Sequence, residues 1–181
     1  MKDHIMDAGK AEKLEDESRY RILSSEELLA GVDKGDTVVD IGSGTGFFTD
    51  DLADRAKKVF AVDFQEEMHS YYREKGVPGN VEIIHSRAAK VELGEKVDII
   101  VSILSLHEIA LADSLRLFDD ILRTGGKVLV VDWSANAEND DIPPREKLYT
   151  CKEASEKISS YFEVTEAEER VDTFKIKALK S

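Results

Sequence analysis

A doubly wound α/β fold on a mostly parallel sheet is what this 181-residue sequence predicts, and three observations carry it. Short apolar runs alternate with amphipathic segments along residues 37–133, the order that puts helices on both faces of a parallel sheet. A glycine-rich turn, DIGSGTGFF at 40–48, joins the first apolar run to the first amphipathic segment. The tail then changes character: two strand-like segments follow one another with no helix between them, which reads as an antiparallel hairpin at the sheet edge.

The elements follow in order. Ser24 and Glu27 stand at capping-box spacing, so a helix starts in SSEELLAGV. TVVDIG (37–42) suits a strand buried on both faces. GFFTDDLADRA (46–56) spaces Phe48, Leu52 and Ala56 four apart, as a helix does. KVFAVD (58–63) is a second strand, and the helix QEEMHSYYREKG (65–76) stops at Gly76 with Pro78 beyond. NVEIIHS (80–86) and VDIIVSIL (97–104) are the third and fourth strands. Leu111, Leu115, Phe118 and Leu122 stripe a helix, and GGKVLVVDW (125–133) is a fifth strand after a Gly-Gly turn. A polar loop with two prolines (134–146) has the character of a lid or substrate wall; a plain solvated connection is the other reading. A helix at 151–161 precedes FEVTEAE and DTFKIKAL, where Phe174, Ile176 and Ala178 should face in and Lys175 and Lys177 out. The expected organisation is one domain: a helical cap (1–35), a ligand-binding core (36–133), and a loop, helix and hairpin (134–181).

The net charge of -13 repels phosphate backbones and anionic membranes, so neither nucleic acid nor stable membrane insertion is expected. One cysteine, Cys151, excludes an internal disulfide and a metal site built from several cysteines, and no metal is expected. Without an apolar leader or a run of the roughly 20 residues a membrane span needs, a cytoplasmic location is expected. The oligomeric state is open.

The glycines indicate what is bound. A dinucleotide fingerprint, G-x-G-x-x-G, would need glycine where this sequence has Phe47. Gly42 and Gly44 instead let the backbone turn and let a ligand approach without a Cβ in the way. Ser43 lies between them, and the helix starting near Gly46 offers free N–H groups to an anion such as a carboxylate. Asp40, at the end of the first strand, can accept from an ammonium. Asp63, ending the second, can grip a ribose diol. An amino acid and a ribose on one scaffold point to S-adenosylmethionine.

The chain resembles the class I S-adenosylmethionine-dependent methyltransferases, most of all the small subgroup related to the ubiquinone/menaquinone-biosynthesis type. VVDIGSGTGFFT resembles the first motif of that family, VFAVDFQEEM the second, VDIIVSILSLHEI the fourth, and LRTGGKVLVVDW the glycine-turn strand near the end. The resemblance implies a seven-stranded sheet with an antiparallel last strand. It implies Asp63 as the ribose carboxylate, with Phe64 and Met68 flanking adenine. Family members often carry an acid after the third strand; here Ser86, Arg87 and Ala88 stand there, leaving adenine to Ser86, backbone groups or packing. Ile103, Leu104 and Ser105 should line the floor. Met68, at helical spacing from Tyr71 and Tyr72, equally suits the core.

His107 is the candidate catalytic residue: it follows the fourth strand, where the methyl should point, and imidazole titrates near neutral pH. Its alternative role is packing beneath the sulfonium. Trp133 either faces the acceptor or is structural, and Cys151 lacks an evident activating base. The expected function is methyl transfer to a small-molecule or lipid-like acceptor. The other classes open are a non-catalytic S-adenosylmethionine-binding regulator and an NAD-dependent oxidoreductase. Phe47 and the lack of a Tyr-x-x-x-Lys pair in the second half oppose the latter, and no Asn-Pro-Pro-Tyr segment follows the fourth strand as in base-amino methyltransferases.

Overall fold

The computed structural model describes residues 8–181, with side chains from Ala11 onward, so the start of the expected 1–35 cap lies outside the described residues. Two 3-10 segments, Ala8–Glu15 and Glu17–Arg21, lead into helix α1 (Ser25–Leu29). The capping box that opens α1 is present: Glu27 N–H donates to Ser24 Oγ, and Ser24 N–H to the Glu27 carboxylate.

Seven strands form one sheet: β1 (Thr37–Ile41), β2 (Lys58–Asp63), β3 (Val81–His85), β4 (Val97–Ile103), β5 (Leu122–Trp133), β6 (Glu163–Glu169) and β7 (Thr173–Leu179). Their order is β3-β2-β1-β4-β5-β7-β6. The first five are mutually parallel, and β7 runs antiparallel to both β5 and β6. The chain moves outward from β1 to β3 and returns at β4, so the order reverses between β1 and β4. In such sheets a crevice opens at the C-terminal strand ends at that switch point. Helices α2 (Phe47–Arg55), α3 (Glu66–Lys75), α4 (Leu111–Ile121) and α5 (Cys151–Ile158) complete the layers.

Strand alternation divides the core in two. Val39, Ile41, Phe60 and Val62 join Leu115, Phe118 and Ile158 in one cluster. Val38, Val59, Ile99 and Val101 join Leu28, Phe48 and Leu52 in the other. Both faces of β1 are therefore buried, as its mainly apolar run predicts, and the burial includes Asp40.

Three expectations need correction. β5 begins at Leu122, not after the Gly-Gly turn, because Leu122 pairs with Val97 and the register then slips before Lys127 pairs with Ile99. The glycines ride inside this irregularity: Gly125 has φ +76°, and a Cβ on Gly126 would fall 2.6 Å from Leu122 Cγ. Helix α5 ends at Ile158 rather than 161. Lys175 does not point to solvent. It is 8% exposed, with its Nζ 2.7 Å from Glu166, 3.1 Å from Glu168 and 3.6 Å from Glu27. Having strands on both sides of β7 and α1 nearby closes over a position that an edge strand would leave open.

Candidate active site

A cleft of about 470 Å³ opens at the C-terminal ends of the strands, within the size range of small-molecule sites. Its first wall is the turn after β1. Gly42 and Ser43 N–H both donate to Val62 O, at 2.8 and 3.0 Å, which fastens the turn to β2. Gly42 sits at φ +73°, where a Cβ would come 2.4 Å from Ser105 Cβ. Ser105 Oγ donates to Ile41 O at 2.7 Å and lies 2.9 Å from Ser102 Oγ, so β1 and β4 are stitched together at the switch point. Asp63 Oδ2 accepts from Gly44 N–H and Oδ1 from Gln65 N–H, each at 2.9 Å. Both bonds aim the carboxylate, and each oxygen keeps acceptor capacity for a ligand. On the floor Leu104 holds φ +55°, a left-handed conformation uncommon for a side-chain-bearing residue, fixed by its N–H donating to Val131 O at 2.7 Å.

The opposite end is built from side chains. His107 lies in the 3-10 turn Leu106–Glu108, with its side chain 6% exposed. Its Nδ1 stands 2.8 and 3.0 Å from the two oxygens of Asp132, at the end of β5, and its N–H donates to Asp132 Oδ2 at 2.8 Å. Trp133 N–H donates to Asp132 Oδ1 at 2.7 Å, so the carboxylate is held on several sides. Glu108 Oε1 lies 3.8 Å from His107 Nε2. Burial pushes the imidazole toward neutrality, but the bond and charge of Asp132, with Glu108 behind, outweigh it and raise its pKa. Burial also raises the Glu108 carboxyl. Trp133 and the stretch from Asp141 to Pro144 line this end, and Leu14, Arg19 and Ile22 of the N-terminal segment overlie the cleft.

Residues 38–126 match the family model described as a methyltransferase domain. Among solved structures, a SAM-dependent methyltransferase from Aquifex aeolicus superposes with a TM-score of 0.87 at 29% identity, over 98% of this chain and 100% of that one. The chain belongs to the class I S-adenosylmethionine-dependent methyltransferases. S-adenosylmethionine is its cofactor. A ubiquinone/menaquinone biosynthesis C-methyltransferase of Escherichia coli is 33% identical over 114 residues, 58% of this chain and 45% of that protein. A probable ribosomal RNA small subunit methyltransferase A from Pyrococcus abyssi is 44% identical over 64 residues, 35% of this chain and 24% of that protein. The chain thus spans about a quarter to a half of the length of these curated relatives. With an RNA-methyltransferase name among them, the exclusion of nucleic acid drawn from net charge is not supported. A similar core serves proteins with different acceptors, and overall charge does not describe the acceptor end.

Within this methyltransferase, the cleft wall includes Gly42, Ser43, Gly44, Asp63, Phe64, Met68, Ser86, Ala88, Ile103, Leu104, Ser105 and His107. Three expected binding residues lie elsewhere. Gly46 faces α3, not the cleft: a Cβ there would be 2.3 Å from the Tyr72 ring, so its bareness serves packing and the φ of +84° at the α2 N-cap. Arg87 is exposed and stacks its guanidinium 5.1 Å from the Phe64 ring centre, on that ring rather than on the cleft wall. Asp40 is 3% exposed, lies beneath the turn, and accepts from Thr49 Oγ1 at 2.7 Å. Burial lifts its pKa to about 6, against the pull of Thr49 and the Arg19 charge.

Asp132 was legible but missed. Like Asp40 and Asp63 it is an acid at the C-terminal end of an apolar run, VLVVDW, and that shared position is the signal. Arg19 carried none, because its place depends on how the N-terminal segment folds back. Among the described residues no His/Cys/Asp/Glu group suits a metal, and no helix is long and apolar enough to cross a membrane.

Proposed function

We propose that this protein transfers the methyl group of S-adenosylmethionine to a nucleophile on a small-molecule or lipid-like acceptor, with His107 taking the acceptor's proton. The carrying observation is the His107–Asp132 pair. With Nδ1 turned to Asp132 at 2.8 Å, the imidazole has its other nitrogen, Nε2, left to work at the cleft it lines.

The residues present fit the cofactor: a bare turn at Gly42 and Gly44 allows close approach, and Asp63 offers spare lone pairs toward the cleft. Phe64, Met68 and Ala88 provide an apolar slot for a flat base, and Ile103 and Leu104 a floor. When bound, S-adenosylmethionine supplies an electrophilic methyl on a sulfonium. The chain's own work is then alignment, exclusion of water by the N-terminal segment and the 134–146 loop, and removal of one proton. Asp132 fixes the ring orientation and balances the charge His107 acquires. Trp133, Ile109, Ile142 and Pro143 give the acceptor end apolar walls, which suits a ring or an acyl-like group.

The test is S-adenosylhomocysteine formation against a panel of phenols, thiols, amines and a short RNA. A base held by Asp132 makes the rate rise with pH through a midpoint above the ordinary imidazole value of 6.5, because His107 must first lose its proton. Asp132→Asn removes the raising influence, leaves the burial, and moves that midpoint down. A pH-independent rate, or a midpoint indifferent to Asp132→Asn, overturns the base assignment. Turnover of the RNA alone overturns the acceptor assignment.

A further inference from the structure

We infer that the methyl acceptor is an amine, met as an ammonium between the Glu108 carboxylate and the Trp133 indole. The inference rests on the methyl-transfer reading above and names the substrate class of that same cleft. Glu108 follows His107 in the 3-10 turn after β4, and Trp133 follows Asp132 at the end of β5. The bonded His107–Asp132 pair therefore carries one of them beside each partner, and both line the cleft.

Glu108 has no counter-ion of its own. Among the described residues its side chain makes no hydrogen bond, and its one ionic neighbour is His107, with Nε2 at 3.8 Å. Lys147, the other cation whose charge acts on it, forms no ion pair with it. The Glu108 side chain is only 25% exposed, and burial raises its carboxyl, the response of an acid whose charge is unmatched. The cations lining the cleft, Lys13 and Arg19, belong to the N-terminal segment, whereas the acceptor end adds a further acid, Asp141. Trp133 is open in the same sense. Elsewhere Lys58 covers the Phe60 ring at 4.1 Å and Lys157 that of Tyr149 at 5.7 Å, but among the described residues no cation covers the indole, the ring that binds cations best. An ammonium supplies what both groups lack, and a net charge of -13 draws cations inward.

Hydrogen count separates an amine from the other acceptors. With Nδ1 turned to Asp132, Nε2 of His107 is an acceptor, and ionised Glu108 only accepts. A hydroxyl or thiol brings one hydrogen, so serving His107 leaves its lone pairs against the Glu108 charge. A primary ammonium brings three, enough for both groups. One proton then passes to His107 Nε2. The freed nitrogen lone pair forms the N–C bond while the donor's C–S bond breaks with its electrons left on sulfur. The product remains an ammonium, with one methyl more and one hydrogen fewer.

Trp133 is the chain's single tryptophan, so its fluorescence reports on this end of the cleft directly. The protein loaded with S-adenosylhomocysteine is titrated near neutral pH with benzylamine, then a cation, and with benzyl alcohol, its neutral counterpart of the same shape. Benzylamine should bind roughly 10- to 100-fold tighter, the scale of a charged hydrogen bond. Glu108→Gln should bring the two probes within about threefold of each other, and Glu108→Asp should keep part of the preference. Benzylamine that binds no tighter than benzyl alcohol, or a preference that survives Glu108→Gln, overturns the inference and leaves the donor reading standing. Wild-type protein that fails to bind S-adenosylhomocysteine in calorimetry overturns the donor reading itself, and the inference with it.

Discussion

The two ends of the cleft are made differently. At the β1–β2 end, the turn at 42–44 is held by backbone bonds to Val62 and by Asp63, and its shape depends on missing side chains. At the β4–β5 end, the wall is side chains on a 3-10 turn and a proline-bearing loop, with one buried imidazole–carboxylate pair. The first end can present a single fixed surface. The second can change its occupant by exchanging side chains such as Trp133, Ile109 and Ile142. This division supports the proposed reading, with the cofactor at the first end and the acceptor at the second.

The largest expected effect tests the rigid end. Gly42→Ala combines a left-handed φ with a Cβ 2.4 Å from Ser105 Cβ, so it should cost about 3 kcal/mol of stability and abolish cofactor binding. Thermal melting and calorimetry check this; near-wild-type binding would show the turn to be plastic. Next, His107→Gln should slow methyl transfer by roughly 10²–10⁴-fold with S-adenosylhomocysteine affinity nearly unchanged. A parallel loss of affinity would mean that the two ends are not separable.

Asp40→Asn probes what lies beneath the turn. A carboxyl whose folded pKa of about 6 exceeds the unfolded 3.8 adds stability at acid pH that is lost as pH rises through 6. The substitution should therefore raise unliganded stability at pH 7, by on the order of 3 kcal/mol, and flatten the profile between pH 4 and 6. Stability curves at several pH values check it. The smallest effect is Asp63→Ala, which should weaken S-adenosylhomocysteine by about 1–3 kcal/mol. Unchanged affinity would move the ribose elsewhere on the wall.

The same division governs what could be read in the sequence. Strand and helix periods, the Ser24–Glu27 capping box and the bare turn are local signals, and each appears in the fold at or near its expected place. Lys175 shows where locality fails, because its burial depends on β6 and α1 arriving from elsewhere. Gly46 shows a different failure. A glycine spared for a ligand and one spared for the Tyr72 ring look alike in a string of letters. His107 was visible, but the partner that defines its chemistry lies 25 positions away on another strand.

The hairpin at the far edge has a consequence for synthesis. Among the described strands β6 pairs with β7 alone, yet it leaves the ribosome first, so it must wait in water for residues 173–179 before it can join the sheet. Its run of glutamates, Glu163, Glu166, Glu168 and Glu169, then acts as a guard on the nascent chain, discouraging pairing with the wrong neighbour until Lys175 and Lys177 supply the matching charges.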